Sequence, residues 1–343
     1  MKYYDGVKLL SLKDMYGNKP EIYISETNRT GGKTTYFSRM VVNRFLDGKG
    51  KFMLVYRFKY ELDDVASKFF KDIGSLFFPD YVMTSKGKGS GIYQELYLND
   101  KPCGYAVALS NADGIKKMSH EFSDTSIMLF DEFQSETNHY LSKETDKFKS
   151  IHTSVARGQG EMVRYVPVIM ISNPVTLLNP YYTEMGISTR LTEKTKFLKG
   201  DGFVMEHGFV KDACEAQKAS AFNRAFGNNK YLEYSAEGVY LNDNKAFIEK
   251  PNGKSAYICT IKYNNSNFAV REFAELGIVY CDDRPDMTYP KKISVTTEDH
   301  NINYVMLKNN DLLIITLRYY FERGCFRFKD LRSKEALMKC ISY

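Results

Sequence analysis

Two clusters in this chain have residue types and spacing suited to phosphate chemistry. The first is Thr27-Asn28-Arg29-Thr30-Gly31-Gly32-Lys33-Thr34-Thr35. A phosphate-binding loop reads G-x-x-x-x-G-K-[ST]. Gly32, Lys33 and Thr34 fill its last three positions, and Thr27 stands where the opening glycine would be. In such a loop the backbone N–H groups cradle ATP phosphates, the lysine reaches the β- and γ-phosphates, and the hydroxyl ligates Mg2+. Those roles fall to Lys33 and Thr34. Arg29, inside the loop, is placed to touch the γ-phosphate or sense its loss. The second cluster is Asp131-Glu132, at the end of the apolar run Ile127 to Phe130 and 97 positions beyond Thr34. Hydrolysis needs a carboxylate to hold Mg2+ and a base to polarise the attacking water. Asp131 suits the first task and Glu132 the second.

These groups act together only if strands and helices bring them to one edge. Glu21 to Ser25 is a short β-prone run ahead of the loop. After it, Tyr36, Phe37, Met40, Val41 and Phe45 recur at helical spacing, and Asp47-Gly48 ends the pattern. A loop between strand and helix presents N–H groups to an anion. The run 127–130 reads as a central parallel strand, whose carboxyl end is where open α/β sheets bind ligands. Residues 51–57 (KFMLVYR) predict another strand, 61–78 a helix, and 93–98 with 105–109 a hairpin turning at Asn99-Asp100. Residues 166–172 (VPVIMIS) predict one more buried strand, ending at Asn173-Pro174. Asn173 is thereby a candidate sensor of the γ-phosphate or the attacking water.

Composition narrows the class. Of 343 residues, 43% are apolar and 26% charged, which suits a globular chain of about two domains. No apolar run reaches the roughly 18 residues of a membrane span, and no secretory signal is evident. The six cysteines, at 103, 214, 259, 281, 325 and 340, form no CxxC pair, so neither a disulfide framework nor a zinc site is expected. A net charge of +6 permits an acidic polymer as partner.

Taken in order, TNRTGGKT, KFMLVYRFKYEL, SIMLFDEF and TSVARGQGEMVRYVPVIMISNPVTLLNPYY resemble the double-stranded DNA genome-packaging ATPases of small phi29-type tailed phages. The likeness spans roughly residues 20–185 and returns faintly near the C-terminus. It implies an ASCE-type ATPase using ATP and Mg2+ in a homopentameric ring. Such a ring sits on a phage portal and pumps DNA into a procapsid in the host cytoplasm, in some cases with a packaging RNA. It also implies an arginine finger from the neighbouring subunit, matched by Arg157, with Arg164 second. The resemblance places Lys116 and Lys117 in a loop facing the DNA. The rival basic loop is 84–91, with Lys86 and Lys88.

The expected architecture is α/β: an ATPase domain with a mainly parallel sheet over 1–195, a helical linker over 196–244, and an α+β domain over 245–343. In the last, 246–250, 255–263, 268–273 and 277–283 predict strands, and 309–322 and 330–341 predict helices. The resemblance makes that domain RNase H-like without nuclease activity. Two other readings share the phosphate site: another nucleic-acid motor such as a ring helicase, or a nucleotide-binding scaffold.

Overall fold

The computed structural model describes residues 3–137, 139–158, 160, 162–177, 179–188, 190–191, 195–227, 233–237, 246–307 and 310–341. The chain divides into two compact units, Met1–Met185 with Arg190–Leu241, and Gly186–Thr189 with Asn242–Tyr343.

The first unit is built on a nine-stranded sheet in the order β3-β4-β5-β2-β6-β7-β1-β9-β8. The strands are β1 Ile22–Thr27, β2 Lys51–Tyr56, β3 Met83–Lys88, β4 Tyr93–Leu98, β5 Lys101–Ala108, β6 Thr125–Asp131, β7 Val168–Ser172, β8 Phe197–Lys199 and β9 Phe203–Gly208. The run from β5 to β9 is parallel, and both edges are antiparallel. The parallel strands are apolar on both faces because helices cover both, and Phe52 to Val55, Ile127 to Phe130 and Val168 to Ile171 are almost wholly buried. The helices are α1 Val7–Ser11, α2 Lys33–Leu46, α3 Val65–Phe77, α4 Ala112–Lys117, α5 Glu144–Val155, α6 Pro180–Glu184, α7 Lys211–Ala219 and α8 Ala221–Phe226. Phe37, Val41 and Val42 of α2 and Val65, Phe70 and Ile73 of α3 pack into one cluster with Phe52 and Leu54.

Several boundaries differ from expectation: the hairpin strand expected over 105–109 runs Lys101–Ala108, and the strand expected from 166 starts at Val168. The helix predicted from 61 starts at Val65, because Lys59–Leu62 forms a tighter 3-10 turn and Asp64 has a left-handed φ of 54°. Residues 196–244 are not a free-standing helical linker. Their first part supplies β8 and β9, and β9 pairs with β1 from Ile22↔Phe203 to Thr27↔Gly208. Residues 228–232 and 238–244 of that stretch lie outside the described residues.

The second unit carries a six-stranded sheet in the order β14-β13-β10-β11-β12-β15. Its strands are β10 Ala256–Tyr263, β11 Ser266–Phe273, β12 Ile278–Asp282, β13 Lys292–Ser294, β14 Val305–Met306 and β15 Phe326–Phe328. β10, β11 and β12 are antiparallel, whereas β13 joins β10, β14 joins β13 and β15 joins β12 in parallel. The strand predicted over 246–250 is absent; only Phe247 bridges to Phe328. The first turn is tight because Asn264 and Asn265 take φ of 48° and 58°, and Asp299 accepts both their N–H groups at 2.8 Å. Helices Asp311–Glu322 and Leu331–Ile341 close the core through Leu313, Leu317, Ala336, Leu337 and Cys340.

Candidate active site

The loop after β1 owes its shape to two glycines and to side chains from far along the chain. Gly32 caps α2 with a φ of 89°, a left-handed conformation that glycine adopts without penalty. A Cβ on Gly31 would lie 2.8 Å from Cγ2 of Val210, so that position admits no side chain. Thr27 fits because β1 continues through it; no left-handed turn occurs there that would require glycine. Asn28 pins the loop outward: its Nδ2 donates to the Val210 and Ala236 carbonyls at 3.1 and 3.0 Å, and its Oδ1 accepts from Val210 N at 2.8 Å. Gln217 Nε2 donates to Arg29 O at 2.9 Å, and Arg29 N donates to Ser235 O. Nothing local in sequence announced these partners. Arg29 itself forms an ion pair with Glu136.

Strand register then aligns the chemistry. Glu26 of β1 pairs with Ser172 of β7, and Asp131 of β6 pairs with Ile171, so three strand ends meet at one edge. Lys33 Nζ donates to Asn173 Oδ1 at 2.6 Å and reaches Thr27 O at 3.4 Å. Burial pulls the Lys33 ammonium down to about 8, against the pull of Asp131 and Glu26. Burial and the Glu132 charge push the Asp131 carboxyl up to about 6, opposed by Lys33 and by hydrogen bonds from Thr34 and from Glu132 N. Both groups hold an unfavourable charge that a phosphate and a metal ion would relieve. Lys33, Thr34, Thr35, Asp131, Glu132 and Asn173 all line one cleft of about 1050 Å³. The Ser172 hydroxyl in its wall is buried without a partner among the described residues.

The donor set fits Mg2+ bound with a nucleotide. Thr34 and Asp131 are hydrogen-bonded to each other, and the described residues hold no group of three or more His, Cys, Asp or Glu that could hold a metal ion by itself. Magnesium uses few protein oxygens and completes its shell with phosphate and water. Glu132 is exposed beside it with a left-handed φ of 54°, unusual for a non-glycine residue. Arg57, at the end of β2, donates to Phe133 O at 2.5 Å and to Glu132 O at 3.4 Å, and pairs with buried Glu144 at 3.0 Å. Sequence reading passed over Arg57 as the end of a strand.

Beneath the loop lies a buried polar network. Glu26, fully buried, accepts from Tyr182 OH at 2.7 Å and Gln134 Nε2 at 2.5 Å, and pairs with His207 at 2.7 Å. Gln134 Oε1 also accepts from Thr176 N. Burial pulls the His207 pKa down, but the Glu26 hydrogen bond and charge outweigh it, so it is raised above 6.5. A raised folded pKa adds stability that is complete below the unfolded value and is lost as pH rises through the folded one. His207→Gln is therefore expected to destabilise by about 1.5–3 kcal/mol at pH 6, the range for a charge-assisted hydrogen bond, and by less at pH 9. Thermal melts of both proteins at the two pH values test this; a pH-independent gap would refute the charged pair.

Other candidates lie apart from the cleft. Arg157 is exposed at the opposite end of β6, next to Gly158, whose Cβ position is 3.2 Å from Ser123. Seven residues of strand put it about 20 Å from Asp131 of its own chain. Arg164 is engaged internally, donating to Thr125 O at 3.2 Å and Val155 O at 2.7 Å. Lys116 and Lys117 are exposed at the end of α4. The rival loop adjoins them: Asn111 Nδ2 donates to Ile92 O, and a Cβ on Gly89 would touch Met118. Lys86 lies on β3 and Lys88 ends it at the hairpin turn, paired to Glu95.

A phosphate loop, a strand-end Asp-Glu pair and a mostly parallel α/β sheet define a P-loop ATPase. The family of Podovirus DNA encapsidation proteins (Gp16) matches residues 2–340, and the chain belongs to it. The DNA packaging protein of Bacillus phage phi29 is 27% identical over 303 residues, 87% of this chain and 86% of its own length. That of Bacillus phage B103 is 24% identical over 316 residues, 91% of this chain and 92% of its own. Two solved structures share the fold. A chain of the bacteriophage Phi-29 genome packaging motor assembly superposes with TM-score 0.63 at 24% identity, covering 99% of this chain and 100% of that one. The Phi-28 gp11 DNA packaging motor does so with TM-score 0.62 at 15% identity, covering 99% and 96%. No helix among the described residues is long and apolar enough to cross a membrane.

Proposed function

We propose that this chain is the ATPase subunit of a phage packaging motor that drives double-stranded DNA into a procapsid. The observation that carries the reading is the convergence of Lys33, Thr34, Asp131, Glu132 and Asn173 on one cleft, in a member of a DNA encapsidation family. Thr34 and Asp131 would hold Mg2+, which would neutralise developing phosphate charge there. Glu132 orients the attacking water, and Asn173, which holds Lys33 in the free protein, reports the γ-phosphate. Arg157 completes the site of a neighbouring copy in a pentameric ring. The ring works on a portal in the host cytoplasm, with a packaging RNA as a further partner. An exposed Arg157 remote from its own cleft supports action between copies.

The second unit serves as an RNase H-like binding domain. Its antiparallel β10-β11-β12 meander, extended by parallel β13 and β14 beside β10, supports that reading. Its acids at and near the strand ends are engaged structurally: Asp282 accepts from Arg284 N at 2.8 Å and Asp283 pairs with Lys329, while Asp299, in the loop after β13, caps the first turn.

The test is ATPase rate with and without duplex DNA. Duplex is expected to stimulate the wild type and to have no effect on an inactive Lys33→Ala variant. Lys116→Ala with Lys117→Ala should weaken DNA binding and reduce the salt slope of log K by about 2, one counterion per lost phosphate contact. Turnover indifferent to DNA would reject the motor. Strand separation by the protein would favour a helicase instead.

A further inference from the structure

A nucleotide with its phosphates on Gly31 to Thr34 must send its base to one side of the loop. Toward α3, the Arg39 guanidinium already covers the Phe77 ring, 4.4 Å from its centroid. On the other side a second cavity of about 340 Å³ opens against α7, lined by Tyr3, Thr30, Val210, Ala213, Ala216 and Asn223. Tyr3, Thr30, Gln217 and Asn223 also line the larger cleft, so the two spaces adjoin. Tyr4 N donates to Gly31 O at 2.7 Å, which fixes the Tyr3 ring beside Gly32 while leaving it 69% exposed. In the same lining, Ala213 and Ala216 are small enough to leave room for a flat ring.

We propose that this cavity is the nucleobase pocket, with the purine between Tyr3 and the alanine face of α7, and that it selects adenine. This rests on the phosphate-loop reading. A planar base gains by stacking on an exposed aromatic ring backed by apolar surface. Asn223 reads the edge. Its Nδ2 donates to the Gln217 carbonyl at 2.7 Å, which orients the amide and leaves Oδ1 as an acceptor. Adenine offers an exocyclic amine there, whereas guanine offers an oxygen. Gln217 ties the same helix to the loop through Arg29 O and Thr30 Oγ1, so base and phosphates are bound by one connected wall.

The experiment is calorimetric titration of the full chain with ADP, GDP and pyrophosphate, each with Mg2+. The variants are Tyr3→Ala, Ala216→Trp and Phe77→Ala. Tyr3 and Ala216 are exposed, so their variants should melt like the wild type. Tyr3→Ala and Ala216→Trp are expected to weaken ADP about tenfold or more and leave pyrophosphate unchanged, while Phe77→Ala changes neither. Wild type should prefer ADP to GDP. Unchanged ADP affinity in Tyr3→Ala and Ala216→Trp, or a loss confined to Phe77→Ala, would place the base elsewhere and overturn the proposal. Equal ADP and GDP affinity would overturn the role of Asn223. If wild type bound neither ADP nor pyrophosphate, the phosphate loop itself would be refuted, and the pocket with it.

Discussion

Replacing Arg157 with alanine is expected to lower the ATPase kcat by about 10³-fold or more, the effect of removing a guanidinium that neutralises transferring phosphoryl charge. The loss should be reparable by a second inactive protein. Arg157 stands at the N-terminal end of β6, and Asp131 and Glu132 stand at the C-terminal end and just beyond it. No side-chain movement carries the guanidinium along the whole strand to its own cleft. Arg164, next in line for the role, is held by the Thr125 and Val155 carbonyls. The loop beyond Arg157 also leaves Met162 96% and Val163 75% exposed, apolar surface that a neighbouring copy would cover. In a head-to-tail ring, an Arg157→Ala chain keeps its Glu132, and a Glu132→Gln chain keeps its Arg157. An equal mixture should then build an intact site at about one interface in four. The measurement is steady-state rate against protein concentration for the wild type, each variant and the mixture. A flat rate per chain, with Arg157→Ala as active as wild type, would mean each chain completes its own site.

The parts of this site that were legible in sequence are those whose chemistry is local. Gly32-Lys33-Thr34 needs only a strand before it and a helix after it, and Asp131-Glu132 needs only the apolar run that precedes it. The parts that were not legible depend on contacts made far along the chain. Asn28 meets Val210, and Gln217 meets Arg29, across 182 and 188 positions. No periodicity announces such a pair, so Val210, Gln217, Ser235 and Ala236 read as parts of a linker although they hold the loop after β1. β8 has three residues, and β9 ends in Glu206-His207-Gly208, so neither shows a clean apolar alternation. Short β13, β14 and β15 escaped notice for the same reason, and Phe247 looked like a strand residue when it makes a single bridge. Glu26 falls between the β-prone run and the loop and carries no signal of its own; only burial among Tyr182, Gln134 and His207 gives it meaning.

Arg57 offers a case where stability and catalysis should come apart. Its Nε lies 3.0–3.1 Å from both Glu144 carboxylate oxygens, and Glu144 also accepts from Tyr181 OH and Leu141 N. Both partners are buried, at 8% and 2% exposure, so Arg57→Met leaves a carboxylate without its cation. Breaking one side of a buried pair costs about 3–5 kcal/mol, whereas replacing both sides by apolar groups is often neutral. Arg57→Met is accordingly expected to lower the melting temperature sharply, and Arg57→Met with Glu144→Leu to recover most of it. Activity should not follow. The remaining guanidinium nitrogens reach the Glu132 and Phe133 carbonyls, and Glu132 holds a left-handed backbone that costs of order 1–3 kcal/mol unless its surroundings maintain it. Without those donors the Glu132 carboxylate, which we propose orients the water, drifts. A displacement near 1 Å is enough to cost about 10²-fold in kcat. The double variant should thus fold, bind ADP as the wild type does through Lys33 and the loop, and turn over about 10²-fold more slowly. Melts, ADP titration and kcat on the same samples decide it. Recovery of kcat together with stability would make Arg57 a support of the core alone, and its hold on Glu132 incidental.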